Sequence, residues 1–176
     1  MSALMRWLQG FVLVAAMVAS AGAHAHAASD AYLTLAAATA RDGSTVVDVR
    51  FDIALRDLDF VLGLDGDGDG NLTWGEVRRR HAAIERLAHD ALQLTGDGKA
   101  CRLDHVRQQV ADRADGSYAA LFFRATCAGR PRGIMLDYRL FFAVDPSHRA
   151  IVVFRSSGEV ATALLAPTQS RVVLRP

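Results

Sequence analysis

Residues 47–55, VDVRFDIAL, sit inside the segment STVVDVRFDIAL (44–55), and their reading decides the fold. Val47, Val49, Phe51, Ile53 and Leu55 fall on one side, while Asp48, Arg50 and Asp52 fall on the other. Period two is the pattern of a strand with one face against a core and one toward water. Upstream, Tyr32, Leu33 and Leu35 begin another strand, and Arg41-Asp42-Gly43 is a turn signal between the two. Downstream the period changes. RDLDFVLGL (56–64) places Phe60, Val61 and Leu64 at helical spacing, with Asp57 as N-cap. EVRRRHAAIERLAHDAL (76–92) predicts a longer helix with Val77, Ile84, Leu87, Ala88 and Ala91 on one face.

Strand patterns return after Leu92. LQLTGDGKACRL turns at Asp97-Gly98, and HVRQQVADRADGSYAALFFRATC turns at Asp115-Gly116. IMLDYRLFFAV alternates through Ile134, Leu136, Tyr138, Leu140, Phe142 and Val144, and AIVVF (150–154) and SRVVL (170–174) are the last strand candidates. The expected architecture is mainly β: a β-sandwich-like antiparallel domain, or a partly open barrel, with a helix-loop-helix inserted at 56–92.

The chain has 176 residues, 51% hydrophobic and 22% charged, with a formal net charge of +1. Those values describe one globular domain and give no electrostatic case for nucleic acid. The N-terminus reads differently. Arg6, the apolar stretch FVLVAAMVASAGA (11–23) and small residues through Ala27 form the pattern of a secretory signal peptide, residues 1–27, leaving a single domain at 28–176. Cleavage after Ala27 fits best, with Ala23 and Ala25 as alternatives. No second apolar stretch is long enough for a membrane span, so the expectation is a periplasmic or secreted protein with no span after cleavage. Cys101 and Cys127 are the only cysteines, and in an oxidising compartment a disulfide is favoured over a two-cysteine metal site.

Between the two helical segments lies DGDGDGNLTWGE (65–76). Asp65, Asp67, Asp69 and Glu76 crowd four negative charges into twelve residues, which makes chemical sense when a cation sits among them. Alternating carboxylates on a glycine-rich loop suit a hard cation that takes six to eight oxygens. The stretch resembles the EF-hand calcium loop, and the resemblance implies that Gly70 stands where the backbone must turn sharply, that Asn71 offers its carbonyl, that Thr73 serves directly or through water and that Glu76 binds with both carboxylate oxygens, with Leu72 as the apolar residue beneath the loop. Magnesium, which keeps more of its waters, fits less well than calcium.

The EF-hand resemblance covers about residues 56–92. The resemblance implies Ca2+ as the ligand and Asp65, Asp67, Asp69, Asn71, Thr73 and Glu76 as its binding residues. EF-hands usually pair through the position that Leu72 occupies, and the sequence offers one hand only. A second resemblance runs along more of the chain: leader, strand, DIALRDLDFVLGLDGDGDGNLTWGEVRRRH, helix, cysteine pair and strands. It is similar to the exported N-terminal region that precedes the permease part of HupE/UreJ-type hydrogenase/urease accessory proteins, which are associated with nickel or cobalt. Without the permease helices, this resemblance implies a soluble periplasmic relative of unassigned role; the alternative function is a partner-binding accessory module for an envelope metal permease, with calcium as a structural staple.

Other candidates are weaker. His24 and His26 fall in the leader, and one of them would chelate copper only as a new N-terminus. His81 and His89 are eight apart, too far for an i, i+4 ligand pair, and His105 and His148 show no evident partner. Arg78, Arg79 and Arg80 read as a solvated helix face, as does Asp59. No nucleophile-elbow, zinc-protease or nucleotide-binding motif appears, so the sequence predicts a binding protein rather than an enzyme.

Overall fold

The computed structural model describes residues 29–176, so the expected signal peptide, residues 1–27, lies outside the described residues. Two sheets share one core. Strands β1 (Asp30–Thr39) and β2 (Thr45–Ala54) are followed by helices α1 (Leu55–Leu62), α2 (Trp74–Arg79) and α3 (His81–Asp90). Then come β3 (Leu92–Gly96), β4 (Lys99–Ala100), β5 (Arg102–Arg113), β6 (Gly116–Cys127), β7 (Ile134–Tyr138), β8 (Arg149–Ser156), β9 (Glu159–Leu165) and β10 (Arg171–Leu174). The larger sheet has the order β5-β6-β2-β1-β8-β9, and the smaller the order β10-β7-β3-β4. All pairings are antiparallel except β1 with β8, which is parallel.

The alternation of β2 sets the register. Phe51 stands opposite Leu33 on β1 and Leu121 on β6, and Val49 stands opposite Leu35 and Phe123. All six side chains are buried on the inner face. A one-residue slip would turn this row to water. The smaller sheet answers with Leu92, Leu94, Leu136 and Tyr138, and the Phe51 and Tyr138 rings meet edge-on across the layers, 5.9 Å between centroids. On the outer face Asp52 is unexpectedly buried. Arg50 Nε donates to it at 2.8 Å, and Arg113, whose guanidinium also lies over the Tyr32 ring, donates to its other oxygen.

The helical insertion departs from the expected details. Helix α1 begins at Leu55 with Ala54 as N-cap, and it buries Leu55 and Leu58 rather than Phe60 and Val61, which are exposed. Asp57 is therefore inside the first turn and not its cap. The longer helix is broken in two at Arg80, whose φ of −95° and ψ of 5° interrupt the helical path. Its apolar face is as expected, with Val77, Ile84, Ala88 and Ala91 buried. The alternation at 134–144 yields a strand only as far as Tyr138. Beyond it the chain turns, Phe141 adopts φ 58°, and Val144 is exposed. β9, EVATALL, had no strand signal because its alternation is weak and most of it faces solvent.

Two covalent and polar ties close the layers. Cys101 sits where the chain leaves β4 of the small sheet for β5 of the large one, and it is bonded to Cys127 at the end of β6. Elsewhere, fully buried His148 joins β7 to the start of β1. Tyr138 Oη lies 2.6 Å from His148 Nε2, His148 Nδ1 lies 2.6 Å from Ser29 Oγ, and Ser29 Oγ donates to Asp57 Oδ2 at 2.9 Å. Burial holds the Tyr138 phenol protonated, so it donates to Nε2 and the chain of bonds runs outward to the Asp57 carboxylate.

Both ties make predictions. Removing the disulfide by the Cys101→Ala/Cys127→Ala double substitution should cost about 3 kcal/mol of stability, by the loop-closure relation, measured as a urea midpoint. Burial lowers the His148 pKa below the ordinary value of about 6.5, against the pull of Asp57 and Asp145. A buried neutral imidazole stabilises fully above that value, and its contribution declines as pH falls from about 6.5 through the folded pKa. His148→Gln should flatten this part of the stability–pH curve. An unchanged slope in the variant would assign the pH dependence to other groups.

Candidate metal centre

The loop between α1 and α2 is shaped by its own carboxylates. At its entrance Gly63 ends α1 in the left-handed region, φ 59°, with its N–H bonded to Asp59 O. Asp59 Oδ1 then accepts from the N–H groups of Leu64 (2.7 Å) and Asp65 (2.9 Å). Asp59 thus closes the end of the helix instead of lying on a solvated face. Leu64 is buried, and Leu72 packs against the core from the other end of the loop. These two apolar anchors pin an otherwise polar segment to the domain.

Within the loop, Asp65 accepts from Gly68 N (2.8 Å) and Gly70 N (2.9 Å), wrapping the backbone around its carboxylate. Gly68 and Gly70 adopt φ of +73° and +79°, where an L side chain would be strained. Asp67 Oδ1 accepts from Asp69 N at 3.3 Å, and Asp69 Oδ1 from Asn71 N at 2.7 Å. Glu76 closes the far side. Its Oε1 accepts from Gly66 N at 2.8 Å, and its Oε2 from Thr73 N at 2.9 Å and Thr73 Oγ1 at 2.8 Å. Thr73 in turn accepts from Glu76 N, so the two residues form a reciprocal capping box that starts α2.

Carboxylate oxygens of Asp65, Asp67 and Glu76 lie within 4.8 Å of one another, a group able to hold a metal ion. Thr73 Oγ1 joins it through its contact with Glu76. Asp69 is not a member of this group; its Oδ1 accepts from Asn71 N and its backbone carbonyl from Asn71 Nδ2. Glu76 is 2% exposed, yet its charge is well supported. Hydrogen bonds from Thr73 N, Thr73 Oγ1 and Gly66 N, with Arg79 3.7 Å away, lower its pKa to about 2. The N–H groups of Gly70 and Gly68 lower that of Asp65 as well. The donor set is oxygen throughout, the chemistry of a hard cation.

Helix α1 packs on β2 and β6, and α3 packs on β3 and β5, so the loop leans on its host domain. A groove of about 790 Å³ runs beside it, between Leu72, Trp74, Val77 and the β5–β6 hairpin at Val110 and Tyr118. Arg78, Arg79 and Arg80 are exposed, as the sequence predicts. The sequence reading missed Glu85 and gave His105 no partner; in the fold they meet, with His81, as a second group of this kind. The i, i+4 spacing of His81 and Glu85 was the available signal. No protein-family model matches the chain, and a search of curated proteins finds no significant match.

The Thr73 backbone N–H does most to lower the Glu76 pKa and its hydroxyl comes next, so Thr73→Ala, which removes only the hydroxyl, should raise it part of the way toward the ordinary glutamate range in metal-free protein. Carboxyl-detected NMR titration measures this directly. The stability supplied by ionised Glu76 is present above its unfolded value, about 4.3, and is lost as pH falls through about 2. In the variant that loss should begin at higher pH.

Proposed function

We propose that this is an exported domain that binds one calcium ion through the 65–76 loop, chiefly for structural purposes. The convergence of Asp65, Asp67 and Glu76 on one spot, with Thr73 beside them, carries the reading. Oxygen is the only donor type in the group, which favours calcium over zinc, copper or nickel. Three carboxylates so close together repel one another, and a dication relieves that repulsion. Asp69 and the Asn71 carbonyl complete the ligand set that the EF-hand resemblance implies. The disulfide fits an oxidising compartment, and no helix among the described residues is long and apolar enough to cross a membrane.

A structural role follows from the anchors. Leu64 and Leu72 bind the loop to the core, and buried Glu76 links it to the first turn of α2. Tightening the loop therefore fixes α2 and α3 against the sheets. The helices contain no methionine, so they lack the soft apolar groove that calcium sensors expose.

Trp74 lies next to the ligand residues and is half exposed, a built-in antenna for terbium luminescence. Excited at Trp74, terbium should emit, and calcium should displace it ahead of magnesium. Glu76→Gln should weaken calcium binding by roughly tenfold or more, since it removes one carboxylate charge from the group. At a hundredfold excess over Kd, calcium should add about 2.7 kcal/mol, or about 5–10 °C in Tm. Absence of sensitised emission together with an unchanged Tm would defeat the reading.

A further inference from the structure

His81 and Glu85 lie one turn apart on α3, and His105 comes from β5. We propose that these three residues form a second metal site, for a borderline transition ion of the Zn2+ class, independent of the calcium reading. One ligand atom from each residue falls within 4.8 Å of the other two. Both imidazoles converge on the same oxygen: Glu85 Oε2 is 3.4 Å from His105 Nδ1 and 3.8 Å from His81 Nε2. Tetrahedral ligands at the usual zinc distances of about 2.0–2.1 Å stand about 3.4 Å from one another. The triad is therefore close to that spacing already. An ordinary ion pair would account for Glu85 with one histidine; it gives no reason for a second ring at the same oxygen.

The fold makes a specific provision for His105. The pairing of β5 with β6 shifts between His105 and Arg107, leaving Val106 as an extra, exposed residue. Bulges of this kind re-aim side chains and are common beside functional sites. Here His105 stays on the inner side, opposite Phe123, with the two rings edge-on at 5.4 Å. The His81 ring lies 5.5 Å from it. Among the described residues His105 Nε2 is buried without a hydrogen-bond partner, a costly arrangement that leaves the ring oriented by packing and by Glu85. The His81 and Glu85 side chains are 43% and 37% exposed, so a metal ion can enter from solvent.

The donor set separates the two centres. Two imidazoles and one carboxylate suit zinc and its neighbours, whereas the acidic loop offers oxygen alone. Three protein ligands on an open surface also leave a fourth position for water or for a donor from another molecule.

The test uses the full chain in excess calcium, with Zn2+ as the added metal and diethylpyrocarbonate as a histidine-modifying reagent. Peptide mass spectrometry then reads each histidine separately. One equivalent of Zn2+ should slow modification of His81 and His105 by about tenfold or more, while His89, farther along α3 and half exposed, stays reactive. In parallel, His105→Ala and Glu85→Gln should each weaken Zn2+ binding by about tenfold or more, and His89→Ala should leave it unchanged. Equal modification rates with and without Zn2+, or affinity unchanged in both ligand variants, would overturn the proposal. Protection confined to His24 and His26 would overturn it too. The wild-type modification experiment decides the matter if His105→Ala does not fold.

Discussion

Phe51 touches both layers of the molecule. It lies in register with Leu33 and Leu121 in its own sheet, and its ring meets Tyr138 of the other sheet edge-on. Because β2 is an inner strand, this one apolar row sets the register of β1 and β6 together, and a shift in it would expose both neighbours. The same strand runs straight into α1, with Ala54 as the last strand residue and the helix N-cap at once. The orientation of the helical insertion, and so of the acidic loop, is inherited from the sheet. The loop is placed by a rigid element at one end and by the capping box of α2 at the other.

Glu76 serves two local purposes at once. Its carboxylate organises the start of α2 through Thr73, and it faces Asp65 and Asp67 across the loop. Hydrogen bonds from Gly66 and Thr73 keep it charged despite burial, so the cost of desolvation is offset before any cation arrives. A site prepared in this way loses less entropy on binding than a free acidic turn would. The proposed second centre is prepared differently: packing against Phe123 and a strand bulge hold His105 in place, with few hydrogen bonds involved.

What the sequence revealed was local. The alternation in β2, the turns at Asp97-Gly98 and Asp115-Gly116, and the crowded acids at 65–76 each show their purpose within a dozen residues. The two-sheet, mainly β architecture followed from those patterns. Distant meetings were not legible. Asp52 looks like a surface acid until Arg113 arrives from another strand. His148 has no sequence neighbour that marks its role, and Tyr138 and Ser29 close on it only in the fold. Alternation also misled where the backbone turned: Leu140 and Phe141 are buried, but in a turn rather than a strand. In the loop, proximity singled out Asp65, Asp67 and Glu76, whereas spacing alone could not separate them from Asp69.

The parallel pairing of β1 with β8 has a consequence for the order of folding. Asp30 is matched with Arg149 and Ala36 with Arg155, so the first strand meets a permanent neighbour from near the other end of the chain. β1 and β2 can form a hairpin early, but the middle of the large sheet stays open along the other edge of β1 until residues 149–155 are available. Such long-range closure is slow compared with local pairing. The large sheet would therefore remain incompletely packed until residues 149–155 have been synthesised. The Cys101–Cys127 bond, made between segments nearer to each other, can lock the β5–β6 hairpin before that final seam closes.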